Sequence, residues 1–282
     1  MGRLTLSWRN WADGGALSGG SWLSACPLTN LQDRALSRVS RSVNATTAAT
    51  QISFDLGQMR VLQLVGLARH TLTVAGRWRV VFGSAAGLSD LFDSGWLQAW
   101  PSRATAQMHW EDDQWFYGTP QQDDASGYSI DAWMVTPSTR CRYGTIYLDD
   151  HANSLGYVDL SRLWVGDSWS PPTNYDRGAE LDWEPNAQLQ YSIGRAIFSN
   201  GAPSTRMFSL KFSRLDEVDA YGRMMELRRI ARNDGEVVVI PDPDDSIYGY
   251  KRNMMARIRQ SDRIKQAAGL IFSHGLEFEE LR

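Results

Sequence analysis

The sequence of 282 residues predicts a mainly β protein. Twelve Trp, ten Tyr and nine Phe supply aromatic residue types that are enriched in strands. Twenty-four Gly and ten Pro separate short apolar runs, which is typical of strands joined by turns. Because 43% of the residues are hydrophobic, the chain can bury a substantial core, and its length suits one large domain or two modest ones.

The first part of the chain holds most of the predicted strands. Apolar or alternating runs predict strands at 3–8, 51–56, 61–67, 77–82, 132–135, 143–148 and 157–165. Short connections between neighbouring runs favour antiparallel pairing. Residues 16–50 indicate an extended lead-in, and residues 86–130 lack a clear period, which predicts a long loop region.

The pattern changes after Pro172, where we predict a domain boundary. Further strands are predicted at 188–199, 205–212, 236–240, 254–258 and 276–281. A helix is predicted over 215–231, because Val218, Tyr221 and Met225 recur at helical spacing. Acidic residues in its first turn and arginines in its last turn suit the helix dipole.

The charge and the cysteine content argue against several classes of function. A net charge of −3 and a pI near 5.8 give no uniform basic field, so we expect no nucleic-acid partner. Cys26 and Cys141 lack CxxC spacing and are expected to be free thiols. The start of the chain lacks the apolar segment of a signal peptide, and no run approaches about 18 apolar residues. We therefore expect a soluble protein that is made in the cytoplasm and does not insert into a membrane.

The segment "YLDDHANSLGYVDLSRLWVG" contains a candidate metal site at Asp149, Asp150 and Asn153, beside His151. Carboxylate and amide oxygens are the ligands that Ca²⁺ prefers, and Ca²⁺ is the one cofactor that the sequence suggests. Adjacent aspartates on an extended chain point apart, however, so the same residues also suit a polar turn between two strands. We favour the turn and keep both interpretations.

Aromatic residues of the long loop are candidate carbohydrate-binding residues. They are Trp96, Trp100, Trp110, Trp115 and Tyr117. Exposed indole faces stack on sugar rings or anchor protein interfaces, whereas buried ones simply fill a core. The sequence alone does not separate these two roles.

The turn "IPDPDD" is a candidate assembly element. Its two prolines prevent a helix and make the turn rigid. Its acids are expected to face solvent, and the alternatives are that they bind a cation or meet basic residues of another subunit. The residues proposed for this interface are Asp242, Asp244, Asp245, Arg252, Arg257 and Arg259.

Motifs that carry catalysis are missing. The sequence has no HExxH, GxSxG, GxGxxG or P-loop pattern, so we do not expect an enzyme. A glycoside hydrolase is the weakest alternative, because its two carboxylates need no fixed spacing in sequence.

Two segments resemble discoidin-like, galactose-binding-fold jelly rolls of tailed-phage structural proteins. They are "ISFDLGQMRVLQLVGLARHTLTVAGRWRVVFGSA" and "RYGTIYLDDHANSLGYVDLSRLWVGDSWSP". The resemblance covers most of residues 20–172 and implies a jelly-roll β-sandwich domain over 16–172. The fold class expected is therefore mainly β, with a galactose-binding-like jelly roll and a smaller β-rich domain that contains one helix.

The segment "FSLKFSRLDEVDAYGRMMELRRIARNDGEVVVIPDPDDSIYGYKRNMMARI" resembles the terminal domain of the same phage proteins. This resemblance implies a non-enzymatic virion protein of the tail tip, of the distal or minor tail type. Such a protein forms a homo-oligomeric ring and contacts tail-tube, hub and tape-measure proteins. Residues 173–282 would be the hub domain, and strand 1–15 would join it as a split hub. The alternative is a module on the virion that binds host-surface glycan.

Overall fold

The computed structural model describes residues 2–100, 110–111, 115, 128, 130–245 and 248–282. The predicted fold class is confirmed: the protein is mainly β, with a jelly-roll β-sandwich and one short helix. The chain forms two compact units, one of Met1–Ser168 with Ile240–Asn253 and one of Trp169–Val239 with Met254–Arg282. No helix within these described residues is long and apolar enough to span a membrane. The domain limits and roles predicted from the sequence stay predictions.

The described residues of the first unit form nine strands. They are β1 (Thr5–Ser7), β2 (Ala16–Ser18), β3 (Ser40–Arg41), β4 (Ile52–His70), β5 (Arg77–Gly83), β6 (Phe92–Asp93), β7 (Leu97–Gln98), β8 (Ala132–Asp149) and β9 (Asp159–Gly166). An antiparallel sheet runs in the order β3-β9-β4-β8-β5-β6, with β2 on β4 and β7 on β5. Short 3₁₀ helices at Trp11–Gly14 and Leu28–Gln32 and a helical turn at Gly249–Arg252 complete the unit.

Strand β4 is one long strand where the sequence predicts two. The register of its pairing with β8 shifts between Asp55 and Arg60, so a bulge separates the predicted strands 51–56 and 61–67. Gly57 adopts a φ of 71° there, and its amide donates to Asp55 Oδ1. Strand β8 likewise unites the predicted strands 132–135 and 143–148. The prediction of separate strands was wrong because a bulge interrupts the pattern as a turn does.

A single apolar cluster forms the core of the first unit. Phe82 of β5 is fully buried and packs edge-on against Phe54, with ring centres 6.4 Å apart. Most other members, among them Trp78 and Leu163, come from β4, β5, β8 and β9, and the short 3₁₀ helices add Ala12, Leu28 and Leu31. Since a fully buried side chain of this size contributes about 1.5–3 kcal/mol, this cluster is the main stabilising element of the unit.

Eight strands form the β structure of the second unit. They are β10 (Glu180–Glu184), β11 (Leu189–Tyr191), β12 (Ile197–Ser199), β13 (Thr205–Leu215), β14 (Val237–Ile240), β15 (Met254–Ser261), β16 (Lys265–Ala268) and β17 (Ile271–Glu280). The sheet order is β14-β15-β17-β13-β10, with β16 on β17. Strands β11 and β12 pair with each other as a separate hairpin.

The side chains of this sheet alternate between an apolar and a charged face. Phe208, Leu210 and Phe212 of β13 are buried, whereas the intervening Ser209 and Lys211 are exposed. Strand β17 alternates in the same way. One face therefore supplies the core of the second unit, and the other is charged.

The predicted helix begins later than expected. Leu215 belongs to β13, a π-helical segment spans Val218–Met224, and helix α1 spans Met225–Ala231. Because π-helical turns contain more residues than α-helical turns, the face predicted from α-helical spacing does not point inward. The side chains of Val218 and Tyr221 are therefore exposed, contrary to the prediction.

Candidate functional site

Four side chains form a surface cluster in the first unit, which we call the Trp96 cluster. The pairing of β5 with β8 places Arg77 opposite Asp149, and β7 pairs with β5 at the same end. Arg77 Nη2 donates to Asp149 Oδ2 at 2.6 Å. The guanidinium carbon of Arg77 lies 5.8 Å from the ring centre of Trp96, which precedes β7. The ends of three strands thus bring an indole, a guanidinium and a carboxylate together.

His151 completes the Trp96 cluster. Its Nδ1 lies 3.1 Å from Asp149 Oδ1, and its side chain is largely exposed. The hydrogen bond with His151, followed by that with Arg77, holds the pKa of Asp149 below its ordinary value, so the carboxylate is ionised at neutral pH. An exposed indole face with hydrogen-bonding groups beside it has the chemistry that sugar rings require.

Sequence reasoning named two members of this cluster as site residues, Trp96 for carbohydrate and Asp149 for metal. It noted His151 beside the metal candidates and missed Arg77. No local signal marks Arg77, because its partner Asp149 is 72 positions away in the chain.

The predicted metal residues Asp150 and Asn153 hold a turn. Asp150 Oδ1 accepts from Thr73 Oγ1 at 2.6 Å, and its Oδ2 accepts from Thr73 N and from Asn153 Nδ2. Asn153 Oδ1 accepts from Leu155 N at 3.0 Å. These oxygens already accept hydrogen bonds from protein donors. Asp149 instead contacts Arg77 and His151. Across the described part of the chain, no group of three or more His, Cys, Asp or Glu is arranged to hold a metal ion.

The other predicted carbohydrate residues lie in different surroundings. Trp100 is a core residue, and its Nε1 donates to Leu72 O at 2.6 Å. Burial leaves its ring without a free face for a sugar. Trp110 is 75% exposed and Trp115 is half-buried. Tyr117 lies outside the described residues.

The acids of the "IPDPDD" turn bind within their own chain. Asp242 Oδ1 accepts from Asp244 N at 3.0 Å, which stabilises the turn. Asp245 Oδ1 accepts from Tyr248 N, and its Oδ2 pairs with Arg252 Nη1 at 2.8 Å. Asp245 therefore meets Arg252 inside the first unit, and the role of these acids in a subunit interface stays a prediction.

The other two predicted assembly arginines are paired across strands of the second unit. Arg257 Nη2 lies 2.8 Å from Glu279 Oε2. Arg259 pairs with Glu184. These pairs are partly exposed and hold the strand register, so their charges are already matched within the chain.

A hairpin of the second unit carries several exposed apolar side chains. We call residues 185–204 the arm; it connects β10 to β13 and contains β11 and β12. Five of its apolar side chains are 54% to 108% exposed: Leu189, Tyr191, Ile193, Ile197 and Phe198. Arg195 is the only charged residue in the arm, whereas 22% of the whole chain is charged. Large exposed apolar patches of this kind mark interaction sites.

Hydrogen bonds close the base of the arm. Asn186 Nδ2 donates to Pro203 O at 3.0 Å, and Gln188 N donates to Asn200 Oδ1 at 3.0 Å. Glu184 pairs with Thr205 where the arm joins the sheet. A two-stranded hairpin alone is marginally stable in water, so covering its apolar side chains would stabilise it.

Comparison with known proteins reveals similarity at the level of structure. No protein family and no curated protein match the chain. The lectin domain of lectinolysin complexed with Lewis B antigen is 14% identical, with a TM-score of 0.35 over 56% of this chain and 95% of that one. CBM32-1 from a family 31 glycoside hydrolase of Clostridium perfringens is 11% identical, with a TM-score of 0.38 over 57% and 99%.

A third solved structure is an F-lectin (fucolectin) from striped bass, Morone saxatilis, serum. It is 10% identical, with a TM-score of 0.37 over 74% of this chain and 71% of that one. These similarities are distant, and they concern the fold rather than any ligand.

Proposed function

We propose that this chain is a structural protein of the tail tip of a long-tailed phage, of the distal or minor tail type, and that it assembles into a homo-oligomeric ring. The observation that carries the proposal is the uncovered apolar arm of the second unit. The resemblance of residues 142–171 and of the C-terminal segment to tail-tip proteins supports the same conclusion.

The energetics of the arm favour association. Each of its large apolar side chains contributes about 1.5–3 kcal/mol when it is fully buried. Association also costs side-chain and rigid-body freedom, so only part of this sum appears as affinity. Most soluble oligomers are closed assemblies of identical subunits, which makes copies of the same chain the expected cover.

The proposed role is assembly without catalysis. The ring would join the tail tube to the tip, with tube, hub and tape-measure proteins as its further partners. The protein would be made in the cytoplasm of the bacterial host and would act in the virion.

A substitution in the arm tests the proposal. Ile193→Asp places a charge on its most exposed apolar residue, so we expect the oligomer to dissociate into monomers that keep the circular dichroism spectrum of the folded chain. Light scattering after size-exclusion chromatography measures the mass. The control is Leu88→Asp, which places the same charge on a leucine of the first unit that is 50% exposed and should leave the oligomer intact. An Ile193→Asp variant that keeps the mass of the unmodified protein would contradict the role of the arm.

The Trp96 cluster favours a second candidate function, the binding of host-surface glycan by the first unit. Its indole, guanidinium, imidazole and carboxylate groups meet at an exposed position. A sugar ring would stack on Trp96, while Arg77 and His151 would donate hydrogen bonds to its hydroxyl groups. On a virion, this unit would face outward from the ring.

Titration with purified host-surface polysaccharide tests the second candidate. Trp96→Ala should weaken binding about tenfold, which corresponds to about 1.4 kcal/mol for a lost stacking contact. Trp183→Ala is the control, because it removes a half-buried tryptophan of β10 in the second unit. The idea fails if Trp96→Ala binds as tightly as the unmodified chain, or if calorimetry detects no binding to any host polysaccharide.

A further inference from the structure

We propose that the arm of one copy packs on a defined acceptor surface of the next copy. We call this surface the helix patch; it consists of Val218, Tyr221 and Met225. The inference rests on the proposed function and specifies the partner surface of the arm. It also assigns an intersubunit ion pair between Arg195 and Glu217.

The helix patch is a second apolar surface of the same unit. Val218, Tyr221 and Met225 are 48% to 72% exposed because the π-helical segment turns them away from the core. The ring of Tyr221 packs edge-on against Phe272, with centres 5.2 Å apart. Phe272 is buried in β17, so this contact fixes the helical residues beside the sheet of the second unit.

The arm offers a matching apolar face. In the antiparallel pair, Tyr191 lies opposite Ile197, and Leu189 lies two residues before Tyr191. Paired residues and residues two apart point to the same side of a hairpin, so these three side chains share one face. Both the arm and the helix patch are exposed in a single chain, which means that neither covers the other.

Charge complementarity favours a second copy as the occupant. Arg195 lies in the turn of the arm and is exposed, and Glu217 is exposed beside Val218 at the start of the helical segment. Neither side chain forms an ion pair within the described part of the chain. Of the other carboxylates beside the helix patch, Asp216 accepts from Asp219 N and Glu226 pairs with Arg229. Glu217 is therefore the carboxylate that suits the one arginine of the arm, and the pair would fix the orientation of the contact.

The geometry of this contact makes the interface head-to-tail. The arm and the helix patch are different surfaces, so each copy uses its arm toward one neighbour and its patch toward the other. Heterologous contacts of this type produce rings when the rotation closes. The inference therefore explains how one kind of contact forms the ring of the proposed function.

Charge reversal tests the ion pair in the full chain. Arg195→Glu and Glu217→Arg should each convert the oligomer to monomer, and the double variant should restore the mass of the unmodified protein. Arg232→Glu reverses an exposed arginine outside both surfaces and should leave assembly unchanged. If the double variant stays monomeric while each single variant melts like the unmodified chain, the pairing of Arg195 with Glu217 is wrong.

Mixing two defective variants tests the head-to-tail arrangement. Ile193→Asp disables the arm, and Met225→Asp disables the helix patch. Each should be monomeric alone, and a mixture should form dimers and nothing larger, because a mixed pair retains one intact arm and one intact patch. If Met225→Asp assembles normally while Ile193→Asp does not, the arm binds a different surface and only this inference fails. If the unmodified chain is a monomer, the proposed ring fails as well. Should Met225→Asp not fold, Glu217→Arg replaces it in the mixture.

Discussion

The core of the first unit and the arm of the second use the same residue types in opposite ways. Phe82 and Phe198 both lie in short antiparallel strands. Phe82 is fully buried among other strands, whereas Phe198 is 61% exposed in a hairpin with only two strands. A phenylalanine in the first unit therefore stabilises the fold of its own chain, and one in the arm is available for association. Burial, rather than residue type or strand pairing, separates these two roles.

The largest effect expected from this comparison concerns the two phenylalanines. Phe82→Ala removes a packed core ring and should lower the free energy of unfolding by about 3–5 kcal/mol. Phe198→Ala should change the free energy of unfolding of the monomer by no more than about 0.5 kcal/mol, because its ring has few packing contacts to lose. Chemical denaturation at low protein concentration measures both.

Association should respond in the opposite way. Tyr191→Ala alters the face of the arm that also carries Leu189 and Ile197, so it is expected to weaken the oligomer, whereas the folded fraction of Phe82→Ala should still assemble. Equal losses of stability in Phe82→Ala and Phe198→Ala would contradict the distinction between core and arm.

A smaller effect concerns the interiors of the two units, which should respond alike to acid. Burial lowers the pKa of His70 in the first unit and of His274 in the second from 6.5 to about 4. Both histidines are then neutral in the folded state but take up protons in the unfolded state as the pH falls below 6.5. The unfolded state binds more protons in this window, so stability decreases from about pH 6.5 to about pH 4, by about 3 kcal/mol per histidine.

Thermal or denaturant unfolding across this pH range checks the histidine effect. His70→Gln should flatten the pH dependence in the first unit. His274→Gln should flatten it in the second unit. A pH dependence that is the same in all three proteins would contradict the buried, neutral state of His70.

The fold class followed from the sequence because strand-forming residues and turn residues alternate along the chain. The first and last residues of individual strands were predicted less accurately. The bulge after Asp55 resembles a turn in sequence, since its distinguishing feature is pairing with residues far along the chain. The π-helical segment at Val218–Met224 likewise follows from tertiary packing, and helical spacing alone predicts an α-helix there.

The candidate sites could also be predicted only in part: the residue types are visible in the sequence, but their contacts depend on the fold. Trp96 and Asp149 stand out as residue types, but their meeting through Arg77 depends on the pairing of β5 with β8. The acids of the "IPDPDD" turn have a charge pattern that suits an interface, yet their nearest partner is Arg252 in the same unit. The arm can be recognised in the sequence as a stretch of twenty residues with one charged residue. The prediction of a strand over 188–199 did not take this feature into account.

The mass of the unmodified chain tests the central claim most directly. Sedimentation velocity over a wide range of concentrations, together with negative-stain images of the same sample, reports both mass and shape. We predict one closed oligomer of defined mass whose images show a ring with a central opening. A chain that sediments as a monomer at every concentration, alone and with tail-tube protein, would contradict the account.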